Sequence, residues 1–283
     1  MNALLYHLIR HPRSRIGIAI LGGLLLLVCV PSLITSEHPE QVNLKLLLQA
    51  PSRSHLLGTD LFGRDILART LYGGRHTLLI GLGVIIIAFI SGVTIGTVAG
   101  FKGRWIDTIT MRLIDALLSF PALVLAIALA ASLGPGLMSA TIAISVTMTP
   151  QFARLARAQS QRLSGMLYVD AARVLGVSDG VIMIRHVVRN GLVPLLTLAP
   201  LSVGTAILQV ASLGFLGLGA QPPMPEWGAD IATSLDYLRV APWTIFSAGT
   251  AIVLTVLAFN LLADGVTAYV NPRQRIANEA TRP

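Results

Sequence analysis

The side chains in this sequence that could do chemistry are few, and their spacing does not match the patterns that catalysis needs. The stretch 152–192 carries Asp170-Ala171-Ala172, Gly176, His186 and Asn190. Near the ends of apolar runs stand Asp115, three residues after Arg112, and Asp264, four after Asn260. Gln209 and Ser212 lie inside another such run. Carboxylates, an imidazole and amides could serve proton transfer or hold a metal, but the patterns those reactions need are missing. There is no His-Glu-x-x-His pair to share a helix face around zinc and no Gly-x-Ser-x-Gly turn to present a nucleophile, and the six histidines are scattered. Cys29 is the single cysteine, so neither a disulfide framework nor a cysteine metal site is available. No Gly-x-x-x-x-Gly-Lys-Ser/Thr stretch exists to cradle phosphates. No catalytic residue, no metal and no bound cofactor are therefore assigned to this chain.

The elements that must position these residues follow from the local pattern. Tyr168 to Gly176 reads as a short helix: Asp170 suits its positive N-terminal end, and Gly176 can take the left-handed conformation that ends it. Ser178 is placed to cap a second helix over about 179–189, which presents Val181, Ile182, Ile184 and Val187 and closes at Asn190-Gly191. Ala172 and Gly176, four apart, share one face where small side chains admit another backbone, a docking surface in miniature. The plainer alternative is an amphipathic elbow resting on a membrane. For Arg112 with Asp115 and for Asn260 with Asp264, pairing on one helix face or interfacial anchoring competes with a gate. For Gln209 and Ser212, lining a polar pathway competes with joining helices by hydrogen bonds.

Around this segment the chain is built for lipid. Of its 283 residues 54% are hydrophobic and only 12% charged, and the mean hydropathy is +0.73. The apolar residues come as long runs rather than as stripes or alternation, which points to membrane spans. Such runs cover Ile16 to Ile34 and about 78–100, 113–133, 137–151, 193–215 and 243–263. The first is roughly 28 Å long as a helix, more than a signal-peptide core needs, and reads as a retained anchor. The net charge of +8 sits in short connections without aromatic stacking platforms, which excludes a nucleic-acid partner.

Positive loops stay inside. Arg10, Arg13 and Arg15, the loop 101–112, the segment 152–192 and the tail with Arg273 and Arg275 are therefore expected in the cytoplasm. The uncharged turn at 132–136 and the acidic loop 217–242 fall outside. The chain then divides into a cytoplasmic N-terminus and anchor helix (1–35), an external segment (36–76), a transmembrane domain (77–266) and a cytoplasmic tail (267–283). Glycines 58, 63, 73 and 74 are expected in tight external turns, and Gly92, Gly96 and Gly100 on a small-residue face of the second span. No internal repeat supplies two halves of a transporter, so one copy lines half a pathway, and its partner is an identical or a related subunit.

Asp170-Ala171-Ala172 with Gly176, His186, Asn190 and Pro194 resembles the EAA loop of binding-protein-dependent ABC importer permeases. Asp170 stands where that family usually has glutamate, and Arg189 where peptide-type members often have proline. The resemblance runs on in order through Leu57-Gly58-Thr59-Asp60, Gly63-Arg64-Asp65, Tyr72-Gly73-Gly74-Arg75, Phe120-Pro121, Leu213 to Gly219, Glu226-Trp227-Gly228, Phe259 to Gly265 and Asn271-Pro272-Arg273. Together these motifs are similar to the C-type permease subunit of dipeptide, oligopeptide and nickel importers.

What the resemblance implies is an all-α membrane protein of the type I ABC importer permease fold, with about six transmembrane helices and a cytoplasmic coupling elbow. It implies a bacterial inner membrane, with both termini cytoplasmic. It implies ATP and Mg at one or two separate ATPase subunits, a related second permease, an external solute-binding protein and surrounding lipid. Asp170, Ala171, Ala172, Gly176, His186 and Asn190 would then couple to the ATPase, while Gln209, Ser212, Asp115 and Asp264 would be pathway or gate residues. Leu163-Ser164-Gly165 begins like an ABC signature but continues Met166-Leu167, without a nucleotide-binding domain around it. Di- or oligopeptides are the expected solute, nickel or a metal chelate the alternative, and a self-sufficient secondary transporter the rival of another class.

Overall fold

A computed structural model describes residues 8–270, which places Asn271-Pro272-Arg273, Arg275 and most of the expected tail outside the described residues. Helix α1 spans Pro12–Cys29, shorter than the run Ile16 to Ile34, because Pro31 cannot continue a helix and opens a separate turn, Pro31–Leu33. An irregular segment follows, and then α2, Ile66–Lys102, runs unbroken for 37 residues. Its start twelve residues before the apolar run is set by Asp65, whose carboxylate accepts from the Ala68 N–H at 2.7 Å.

The expected span 113–133 is two helices, α3 (Arg104–Leu118) and α4 (Ala122–Leu133), bent by 93°. Pro121 is the reason: it offers no N–H to the preceding turn and pushes Phe120 out of helical geometry. Helix α5, Leu137–Ser164, absorbs Pro150 and extends well beyond the expected end at 151. After it come α6 (Leu167–Val174), α7 (Asp179–Ile182), a π turn (Met183–Val188) and α8 (Arg189–Phe215). The short α9, Trp227–Ser234, precedes the last helix, α10, Trp243–Val270. Among the described residues, four helical stretches are long and apolar enough to cross a membrane, namely α1, α2, Asp179–Phe215 and α10, and the bent α3–α4 pair would be a fifth. The more polar α5, 28 residues long, occupies the place of the fourth expected span.

The tightest packing is between α2 and α5. A Cβ on Gly92 would stand 2.6 Å from that of Phe152, one on Gly96 would collide with the Ala153 backbone, and one on Gly100 would lie 2.6 Å from the Arg157 carbonyl. The small-residue face therefore lets two backbones meet, and hydroxyls tie the seam: Ser91 to Thr149 at 2.9 Å and Ser160 to the Thr97 carbonyl at 3.0 Å. Around it the buried residues of α2, α5, α8 and α10 form one apolar core. Glycines 58 and 63 do take positive φ in the segment between α1 and α2, whereas Gly73 and Gly74 are helical. Those two keep α2 free of side chains where the chain near Glu226 and the Trp227 ring press on it.

Candidate functional site

The segment expected to do mechanical work forms an elbow at the far end of α2. Helix α6 ends as its sequence requires: Gly176 has φ +79, its N–H donates to the Arg173 carbonyl at 2.9 Å, and the Val177 N–H donates to Ala172 at 3.0 Å. Ser178 stands at the start of α7, but its side chain makes no capping bond. The second helix does not close at Asn190-Gly191. It passes through the π turn directly into α8, and Gly191 serves instead as a packing site, where an added Cβ would stand 3.4 Å from the side chains of Gln159 and Leu163 of α5.

The two faces of the elbow differ. Val169, Ala172 and Ile182 are buried together against Phe101 and Val177. Ala172 thus faces the chain's own interior, which corrects its expected place on a docking face. Gly176 has open space around it and is required by its left-handed backbone alone, not by a close neighbour. Outward, Leu167, Val174 and Leu175 are 87%, 88% and 82% exposed, forming an apolar tip. Asp170 and Ala171 are exposed on α6, and Asp170 pairs with Arg173 at 3.2 Å. His186 and Asn190 are brought to the same place by Tyr168: its ring lies 5.9 Å from that of His186, and its hydroxyl accepts from the Asn190 amide at 3.4 Å.

The elbow rests on the last turn of α2. Lys102 pairs with Asp179 at 3.1 Å, and the cationic groups of Lys102 and Arg173 lie 5.9 and 5.7 Å from the centre of the Phe101 ring. Sequence reading missed Phe101, Lys102 and Tyr168. An aromatic–cation pair closing an apolar run was the signal for the first two.

The remaining expected site residues are not gathered into one place. Asp115 does not pair with Arg112; it meets Arg154 of α5 at 2.5 Å, while Asp107, two turns earlier, holds Arg157 through two bonds of 2.5 and 2.6 Å. These contacts turn the acidic face of α3 toward α5 and leave Trp105, Ile109 and Leu113 outward. Asp264 pairs with Arg13 of α1 at 3.1 Å. Ser212 donates to the Leu208 carbonyl of its own helix at 2.7 Å. Gln209 is different, because its carbonyl oxygen is buried without a hydrogen-bond partner among the described residues.

At the other end of α2 a second polar centre forms. Glu226, 1% exposed, caps α9 by accepting from Gly228 and Ala229 N–H groups, each at 2.9 Å, and from the Thr77 hydroxyl at 3.1 Å. Burial pushes its carboxyl up to about 7, against the pull of those donors. Beside it Arg69 binds Asp230 and the carbonyls of Pro39 and Pro223, and Asp60 holds Arg64 at 2.6 Å. His76 donates to the Pro225 carbonyl at 2.9 Å, and the Trp227 indole donates to that of Thr70 at 2.8 Å. Among the described residues no group of three or more His, Cys, Asp or Glu is arranged to hold a metal.

With this geometry in view, comparison with known proteins is decisive. The family model described as "Binding-protein-dependent transport system inner membrane component" matches residues 92–276. A dipeptide transport system permease protein of Alkalihalophilus pseudofirmus is 42% identical over 260 residues, 92% of this chain and 86% of that protein. A di/tripeptide permease of Pseudomonas aeruginosa is 40% identical, covering 91% of this chain and 89% of its own length. A glutathione permease of Pectobacterium atrosepticum is 40% identical, with coverage of 80% and 75%. In three dimensions, a chain of the MetNI methionine ABC transporter in an inward-facing conformation superposes with a TM-score of 0.57 at 17% identity, covering 71% of this chain and 96% of that one. The family match over residues 92–276 and the identity across most of the sequence make this chain a member of the binding-protein-dependent transport system inner membrane component family: a multi-pass inner-membrane permease subunit of an ATP-driven importer, working with a separate ATPase and a solute-binding protein.

Proposed function

We propose that this chain forms half of the pathway by which a bacterium imports di- or oligopeptides, and that its elbow is the part the ATPase grips. The observation that carries the reading is the apolar tip of α6, with Leu167, Val174 and Leu175 almost wholly exposed on a seat that is itself buried. Large apolar side chains presented this way are anchors for a cleft in another protein, each worth about 2 kcal/mol when covered. Asp170, Ala171 and Gly176 belong to that surface, while His186 and Asn190 hold it through Tyr168. ATP and Mg act at the ATPase. The second half of the pathway is a related permease, and both termini of this chain lie in the cytoplasm. Peptides are favoured as solute because relatives at 40–42% identity are named for dipeptides, di/tripeptides and glutathione. Gln209, with its unsatisfied amide oxygen, is the pathway residue among those named at the outset whose geometry asks for an outside partner.

Gentle solubilisation and affinity purification of this chain, followed by uptake of labelled dipeptide into vesicles holding the recovered complex, tests the proposal. The expected result is co-recovery of a second permease and ATPase, with uptake that needs ATP and binding protein. Replacing Leu175 by Asp is expected to reduce ATPase recovery at least about tenfold, the order of one lost anchor. Undiminished recovery would remove the elbow from the interface, and uptake of a metal chelate but no peptide would overturn the solute assignment.

A further inference from the structure

Among the described residues, the apolar inner face of the elbow packs on the cytoplasmic end of α2. Phe101, together with Val177 of the intervening turn, packs on Val169 and Ala172 of α6 and Ile182 of α7. Two cations flank its ring, and one of them, Lys102, reaches Asp179 at the start of α7. Helix α2 then continues without proline or break to Ile66, where Arg69, Thr70 and Thr77 hold α9 through Asp230, Trp227 and Glu226. Along its length it is keyed into α5 at Gly92, Gly96 and Gly100, so bending is resisted by close-packed backbone. The covalent exit from the elbow, by contrast, runs through the π turn, a wider and less regular winding.

From this arrangement we infer that Phe101 is a positioning residue for transport: displacement of the elbow enters the membrane domain through the Phe101 seat and is carried by α2 to the external α9, rather than travelling only along the chain into α8. The inference rests on the elbow being the ATPase's grip. It assigns to Phe101 a task that differs from that of the exposed tip. Leu167, Val174 and Leu175 capture the ATPase; Phe101 passes on what the captured elbow does.

The test uses the whole complex reconstituted in vesicles, comparing Phe101→Ala, Phe101→Leu and Leu175→Asp. Three quantities are read for each: ATPase recovered with the permease, basal ATP hydrolysis, and dipeptide moved per ATP hydrolysed. Phe101→Ala is expected to keep recovery and basal hydrolysis within about twofold while moving roughly tenfold less dipeptide per ATP, inside the usual range of coupling between sites. Phe101→Leu, which refills most of the socket, should restore the ratio to within about threefold. Leu175→Asp should fail at recovery instead. If Phe101→Ala moves as much dipeptide per ATP as the native chain, or loses the ATPase as fully as Leu175→Asp does, the seat carries nothing and the inference falls. If Leu175→Asp recovers the ATPase normally, the grip itself is misplaced, a separate failure. Should Phe101→Ala not insert, Lys102→Asp and Asp179→Lys serve in its place: each alone should lower the ratio about twofold, as an exposed pair allows, and the double exchange should restore it. A double variant no better than either single overturns the inference.

Discussion

Glu226 shows how a single side chain can set a condition on the protein. Its hydrogen-bond partners are all donors and favour the carboxylate, yet burial, with the charge of Asp230 nearby, raises its pKa to about 7 from an ordinary 4.5. A raised carboxyl binds its proton more tightly in the folded than in the unfolded chain, so its contribution to stability is full below about pH 4.5 and is lost as pH climbs through 7, by roughly 3 kcal/mol. Thermal unfolding of the solubilised protein between pH 4.5 and 8 should therefore show a midpoint falling with pH relative to Glu226→Gln, whose profile lacks this component. Parallel profiles would mean that Glu226 keeps an ordinary pKa. The acidic residue ahead of Trp227-Gly228 was visible in the sequence, but its burial was not, because an acidic loop between spans reads as solvated charge. The partnership of Arg69 with Asp230, 161 positions apart, carries no local signal at all.

Among the elements, the legible ones were those whose rule is local. The elbow's first helix and its left-handed Gly176 followed from residue types, and so did the close-packing face of α2. A substitution at 176 is strained by φ +79 rather than by crowding. Gly176→Asn, which tolerates that region, should retain ATPase recovery near the native level. Gly176→Val should cost about 2 kcal/mol at the elbow and lower recovery severalfold. Equal behaviour of the two variants would show that size, not backbone, decides. What stayed hidden needs neighbours: Phe120-Pro121 was noted as a motif, but nothing in it said that α3 would turn 93° away from α4 and bind Arg154 and Arg157. The π turn, too, joins a helix packed on α2 to one packed on α5, and a continuous helical pattern conceals it.

For the molecule as a whole, composition alone announced a membrane protein, and the order of apolar runs anticipated the order of long helices. The sidedness argued from Lys and Arg has a direct test. In a Cys29→Ser background, Leu44→Cys in the segment between α1 and α2, expected outside, should react with a membrane-impermeant maleimide on intact spheroplasts, and Leu175→Cys only after permeabilisation. The reverse pattern would invert the topology. Helix α2, 37 residues long, is roughly 55 Å from end to end, against a hydrocarbon layer of about 30 Å. Some 25 Å is thus surplus, and it is at the two ends, where Arg69 and Lys102 sit, that the surplus emerges. A bilayer a few ångströms thinner or thicker changes which turn of this helix meets the headgroups, yet both ends, with their contacts to α9 and the elbow, stay beyond the hydrocarbon layer.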